Sequence, residues 1–115
     1  MNSPITTHVL DTARGCPAIE IHAMLEVLSK LETWETIGEG HTDSDGRINN
    51  LLSDNKPISP GTYRLTFYVS PYFQSQNMDS FYSAIPIVFT INNQEQHYHI
   101  PLLLNPFGYS TYKGS

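Results

Sequence analysis

Apolar residues recur at every second position through most of this 115-residue chain. That spacing places them on one face of an extended strand, whereas a helix would need steps of three and four. In ITTHVLDTA, Ile5, Thr7 and Val9 share one face while Thr6, His8 and Leu10 share the other. In AIEIHAMLEVL, Ile19, Ile21, Ala23, Leu25 and Val27 alternate with Glu20, His22 and Glu26. GTYRLTFYV puts Tyr63, Leu65, Phe67 and Val69 on one side, and IPIVFTI does the same with Ile85, Ile87, Phe89 and Ile91. Tyr98, Ile100, Leu102 and Leu104 form a further inner face, and residues 34–40 and 109–113 complete the set of expected strands. Asp45-Gly46 and Asn92-Asn93 supply turns, and Asn105-Pro106 breaks the chain before its last strand. Only residues 71–78 lack alternation and read as a short helix. Many short strands separated by turn signals predict an all-β sandwich or barrel. With no repeat and no linker, residues 1–115 are expected to form a single domain.

The chain carries a formal net charge of -5 and a pI near 5.3. An acidic balance argues against a nucleic-acid backbone as partner, which would require a basic patch. No apolar run approaches the roughly 20 residues of a membrane helix, so no membrane partner is expected. The single cysteine, Cys16, cannot form an internal disulfide. The start MNSPITTHVLDT lacks a basic and then apolar leader, and the end Lys-Gly-Ser is not the peroxisomal Ser-Lys-Leu. The expected location is the cytoplasm, with peroxisome and periplasm as the alternatives.

Parity carries functional information. If Ile5, Val9, Ile100, Leu102 and Leu104 face the core, then His8, His97 and His99 lie on the opposite face, beside Leu10, Pro101 and Leu103. Apolar residues next to histidines on a nominally outer face imply a cover, and a partner subunit is the simplest one. His22, beside Glu20 and Glu26, and His41, in a turn-rich segment, read as surface residues. HTDSDG resembles half a calcium loop, but its required ligand positions fall on His41 and Leu52, which rejects calcium. His8, His97 and His99 could instead form a three-histidine zinc site, although no carboxylate is placed to support it. Without metal, histidine is the side chain best suited to proton transfer near neutral pH. Arg47, one of three arginines, is either a solvated turn residue or a fixed cation able to polarise a carbonyl. A serine nucleophile at Ser110 or Ser115 lacks the G-x-S-x-G elbow.

Taken together, ITTHVLDTARGCPA, the Asp45-Gly46-Arg47 turn and the ending HYHIPLLLNPFGYSTYKGS resemble 5-hydroxyisourate hydrolase, the enzyme branch of the transthyretin family. The resemblance runs from about Ile5 to Ser115 and is most specific at the carboxyl end. It implies a transthyretin-like (prealbumin-like) sandwich of two four-stranded sheets with one short helix, assembled as a homotetramer, a dimer of dimers with sites between subunits. It also implies hydrolysis of 5-hydroxyisourate, the product of urate oxidation, to the ureido-imidazoline carboxylate without metal or organic cofactor. His8, Arg47 and His99 correspond to the family's catalytic residues, and His8, Arg47, Tyr112 and Ser115 to its substrate contacts. Lys113 stands where the family's closing tetrapeptide usually has arginine, which keeps the charge but loses the planar fork. The alternative within the same fold is a carrier that binds a ring compound without consuming it.

Overall fold

The computed structural model describes residues 3–52 and 57–115, so the expectation of one domain over 1–115 lies partly outside the described residues. Among the described residues, nine strands and one helix follow in order. They are β1 (Ile5–Asp11), β2 (Cys16–Pro17), β3 (His22–Leu28), β4 (Trp34–His41), β5 (Arg47–Ile48), β6 (Gly61–Tyr68), α1 (Ser70–Gln74), β7 (Ala84–Ile91), β8 (Tyr98–Asn105) and β9 (Gly108–Thr111). One sheet runs β4-β3-β6-β7. The other runs β2-β1-β8-β9, with β5 also paired to β1. β8 takes one edge of β1 along its whole length, while β5 pairs at Thr7 and His8 and β2 at Leu10 and Asp11. The two short strands therefore lie end to end along the other edge, jointly filling the lane of one full strand. This is the two-sheet sandwich with one short helix that the alternation and the resemblance lead one to expect.

The inner faces meet in a shared core. Ile5, Val9, Ile100, Leu102 and Leu104 from one sheet pack against Ala23, Leu25, Tyr63, Leu65, Phe67, Ile85 and Ile91 from the other, all buried. α1 begins with Pro71 in its first turn, where a missing N–H costs nothing, and buries Phe73. The buried Asp11 carboxylate accepts hydrogen bonds from the Tyr72 hydroxyl (2.7 Å) and the backbone N–H groups of Ala13 and Arg14 (both 3.0 Å). A charge out of water survives only with partners of this kind.

One expectation fails at the start of the second long strand. Ile19 is 48% exposed rather than inward-facing, and the strand begins at His22. Glu20 adopts φ 61, a left-handed conformation that breaks the two-residue alternation. The Thr42 hydroxyl fixes the kink by donating to Ala18 O and accepting from the Ile21 N–H (both 2.8 Å). From Ile21 onward the alternation resumes, with Ile21, Ala23 and Leu25 buried.

Candidate active site

β1 and β8 are parallel neighbours in a register that sets Thr6 opposite His99 and His8 opposite Pro101. Paired residues project to the same face, so Thr6, His8, His97 and His99 share the outer surface of this sheet. On the other edge of β1, His8 pairs with Arg47. The structure thus brings together the three residues singled out as catalytic, although they are separated by up to 91 positions in sequence.

Arg47 is presented by a constrained turn. Asp43 Oδ1 accepts from the backbone N–H groups of Asp45 (2.9 Å) and Arg47 (3.0 Å), and those two bonds lower the Asp43 pKa from its ordinary value. Gly46 has φ +78, and its carbonyl accepts from the Val9 N–H at 2.7 Å, docking the turn onto β1. A Cβ at Gly46 would lie 2.5 Å from Val9 O. Of the other arginines, Arg64 is committed to Glu26 (2.8 Å) and stacks over Trp34 (4.2 Å). Arg47 is exposed and forms no ion pair among the described residues, so its guanidinium is available to a ligand.

The two imidazoles differ in environment. His8 Nε2 lies 2.9 Å from Asp45 O. A carbonyl only accepts, so this nitrogen carries the proton and Nδ1 of neutral His8 holds the lone pair. His99 is half-buried, and its pKa is lowered from the ordinary 6.5, first by burial and then by the charges of Arg47, His97 and His8. The site therefore sets one fixed cation, Arg47, beside imidazoles, an arrangement suited to a ligand that develops negative charge.

The lowered pKa has a directional consequence. Above pH 6.5, His99 is neutral in both the folded and unfolded chain. As pH falls through 6.5 the unfolded chain takes up a proton that the folded one refuses until its own lower pKa, so folding stability declines across that window. An NMR titration of the His99 ring should give a midpoint below 6.5. In Arg47→Gln that midpoint should rise, because a repelling cation is gone. A wild-type midpoint at or above the ordinary value would contradict the arrangement.

The carboxyl-terminal tail lies against the same histidine. The Gly114 N–H donates to His99 O at 2.8 Å, and a Cβ at Gly114 would stand 2.7 Å from His99 Cδ2. Only glycine lets the tail approach this closely. Within the single chain Pro101 is already buried, while Leu10 and Leu103 are half-buried. Tyr112 and Ser115 are exposed, and neither makes a hydrogen bond to His8 or Arg47 among the described residues. Lys113 points elsewhere, with Nζ 5.5 Å from the centre of the Tyr98 ring. A cavity of about 480 Å³ between the β7 and β9 edges is lined by Ile87, Phe89, Tyr98, His99, Tyr112 and Lys113 among others. It meets the histidine cluster only at His99, so concavity alone does not mark where His8 and Arg47 stand.

The zinc arrangement is not formed: among the described residues no three His, Cys, Asp or Glu side chains are grouped to hold a metal ion. His97 Nε2 and His99 Nδ1 both turn to Thr6 Oγ1 instead, at 3.0 and 2.8 Å. His22 belongs to the opposite sheet, where it contacts Glu39 (2.9 Å) and stacks on His41 and Tyr68. Sequence reasoning missed Thr6, Asp43 and Gly114. Thr6 shares the parity of His8, and Asp43 opens an Asp-x-Asp-Gly turn, so both had a readable signal. The Gly114 contact joins segments with no local pattern between them.

Fold and candidate site together define a class: β-sandwich proteins whose outer sheet surface carries histidines beside a guanidinium that forms no ion pair among the described residues. Residues 5–114 match the Transthyretin family, described as the HIUase/Transthyretin family. The chain is 43% identical over 114 residues to a 5-hydroxyisourate hydrolase of Salmonella dublin, covering 99% of this chain and 82% of the relative. It is also 43% identical over 118 residues to the 5-hydroxyisourate hydrolase of Mus musculus, covering 99% and 97%. Sea bream transthyretin, solved in complex with thyroxine, superposes with a TM-score of 0.91 at 29% identity, covering 97% of this chain and 95% of that one. The chain belongs to the HIUase/Transthyretin family.

Proposed function

We propose that this chain is an enzyme of urate degradation that hydrolyses 5-hydroxyisourate, with His8, Arg47 and His99 performing the reaction. The observation that carries the reading is the pairing of His8 with Arg47 on the face that holds a half-buried His99 whose pKa both residues depress. Relatives at 43% identity bearing the hydrolase name support it.

The substrate is a flat oxidised purine whose cyclic amide is opened by water. One histidine removes a proton from the attacking water, and the other orients that water or protonates the departing nitrogen. A depressed pKa keeps His99 neutral, and so able to accept a proton, throughout the neutral range. Arg47 stabilises the negative charge that builds on the carbonyl oxygen as the tetrahedral intermediate forms. The proton taken from water is returned to the departing nitrogen, so the histidines relay it and end the cycle unchanged. Tyr112 and Ser115 line the substrate's side of the pocket in the assembled protein, a homotetramer in which a neighbouring copy covers Leu10, Leu103 and the exposed Tyr112. The proposed location is the cytoplasm.

A carrier reading has one observation in its favour, a cavity of about 480 Å³ beside His99 in a fold shared with a transthyretin solved with thyroxine. Ultraviolet absorbance separates the two. With freshly generated 5-hydroxyisourate, an enzyme accelerates the decay in proportion to its concentration, whereas a carrier leaves the spontaneous rate unchanged and removes the proposal.

A further inference from the structure

Thr6 is 2% exposed although it lies on the outer face of its sheet. Its hydroxyl sits between two imidazoles, 3.0 Å from His97 Nε2 and 2.8 Å from His99 Nδ1. The ring planes are nearly parallel, 20° apart with centroids 6.4 Å from one another. A hydroxyl has one proton to donate and lone pairs to accept with. Thr6 can therefore donate to only one of these nitrogens, and a second hydrogen bond requires the other ring to donate to it. The tautomers of His97 and His99 are coupled through this one oxygen.

Two chain directions satisfy the geometry. In the first, His99 Nδ1–H donates to Thr6, and Thr6 donates to His97 Nε2. In the second, both bonds reverse. They leave opposite groups at His99 Nε2, the nitrogen that makes no hydrogen bond among the described residues: a lone pair in the first, an N–H in the second. The charged and titratable groups acting on this ring are Arg47 on β5, His8 on β1 and His97 just before β8. The fixed positive charge of Arg47 favours a lone pair over a further N–H dipole at Nε2, which selects the first direction.

We propose that Thr6 is a positioning residue that, with His97 as terminal acceptor, holds His99 in the Nδ1–H tautomer and so presents Nε2 to water as a base. This deepens the hydrolytic reading and rests on it for its catalytic meaning. The logic matches that of an orienting group behind a catalytic imidazole, where the wrong tautomer is inactive even with geometry intact. It also gives the first histidine of the H-x-H pair a task that does not require contact with substrate.

The test combines a spectroscopic and a kinetic readout. Nitrogen-15 NMR of the neutral protein should show His99 protonated at Nδ1 and bare at Nε2. Thr6→Val should mix the tautomers and lower kcat by about tenfold or more, a part of the roughly 10²–10⁴ that a positioned base contributes, while KM stays within about twofold. Thr6→Ser, which keeps the hydroxyl, should restore both readouts. His97→Ala frees the hydroxyl to donate to His99 instead, and should shift His99 toward the Nε2–H form with a fall in kcat. Because His97 is exposed, that variant carries the test even if Thr6→Val fails to fold. A wild-type His99 protonated at Nε2, or His97→Ala with an unchanged tautomer and kcat, overturns the proposal. The NMR result stands without turnover, so a chain unable to hydrolyse 5-hydroxyisourate would remove the proposed function while the role of Thr6 in setting the tautomer was still decided.

Discussion

Replacing His8, Arg47 or His99 with alanine is expected to lower kcat by roughly 10²–10⁴-fold in each case, with little loss of stability. His8 and His99 are half-buried and Arg47 is exposed, so none of the three fills the core between the sheets. In the proposed mechanism their removal takes away a proton acceptor, a proton donor or a fixed cation, while Ile5, Val9, Ile100 and Leu102 stay buried in the core. The three losses should not add, because the groups serve one transition state. His22→Ala is the control: its side chain contacts Glu39 and stacks on His41 and Tyr68 in the other sheet, and turnover should be unchanged. Steady-state rates from ultraviolet absorbance, with thermal melts alongside, decide the matter. Near wild-type rates in all three variants would reject the assignment.

A second large effect is expected from a residue that touches no substrate. Gly46→Ala should destabilise the fold by at least about 2 kcal/mol and also reduce turnover in whatever protein remains folded. Two penalties act at this position. A φ of +78 is unfavourable for any residue with a Cβ, and that Cβ would lie 2.5 Å from the Val9 carbonyl oxygen. Backbone cannot yield as a flexible side chain can, so the turn must move away from β1. Arg47 follows Gly46 directly and pairs with His8 through this docking, so a shifted turn carries the guanidinium off the site. Denaturant unfolding would measure the first effect. The second should be a fall in kcat larger than the unfolded fraction accounts for. A stable, fully active variant would show that the turn does not position Arg47.

Much of the sandwich was legible because one physical rule, alternation over a buried inner face, operates along most of the long strands, β4 excepted. The faces of β1, β6 and β8 follow it from Ile5 to Leu104. Reading failed where a backbone conformation overrode the pattern: Glu20 at φ 61 turns Ile19 out to solvent, and no side-chain periodicity encodes that. The two-residue strands β2 and β5 were also invisible, since two residues cannot display a period and exist only because β1 offers an edge. At the site, parity put His8, His97 and His99 on one surface, and the family resemblance selected Arg47. What neither could supply was the third dimension: that Thr6 sits between two rings, or that Gly114 lies against His99. These contacts depend on the register between β1 and β8, and register between strands more than 90 residues apart has no local signature.

That same register has a kinetic meaning. Thr6 and His8 stand 93 residues before His99 and Pro101, the β8 residues they pair with. Every other long pairing in the sandwich is antiparallel, and the parallel seam closes the largest loop in the chain. Loop closure over such a span is costly before contacts reward it, which places sheets of this kind at the slow end of folding. The β4-β3-β6-β7 sheet, built from antiparallel pairings of shorter span, can therefore form ahead of the seam that sets β1 beside β8.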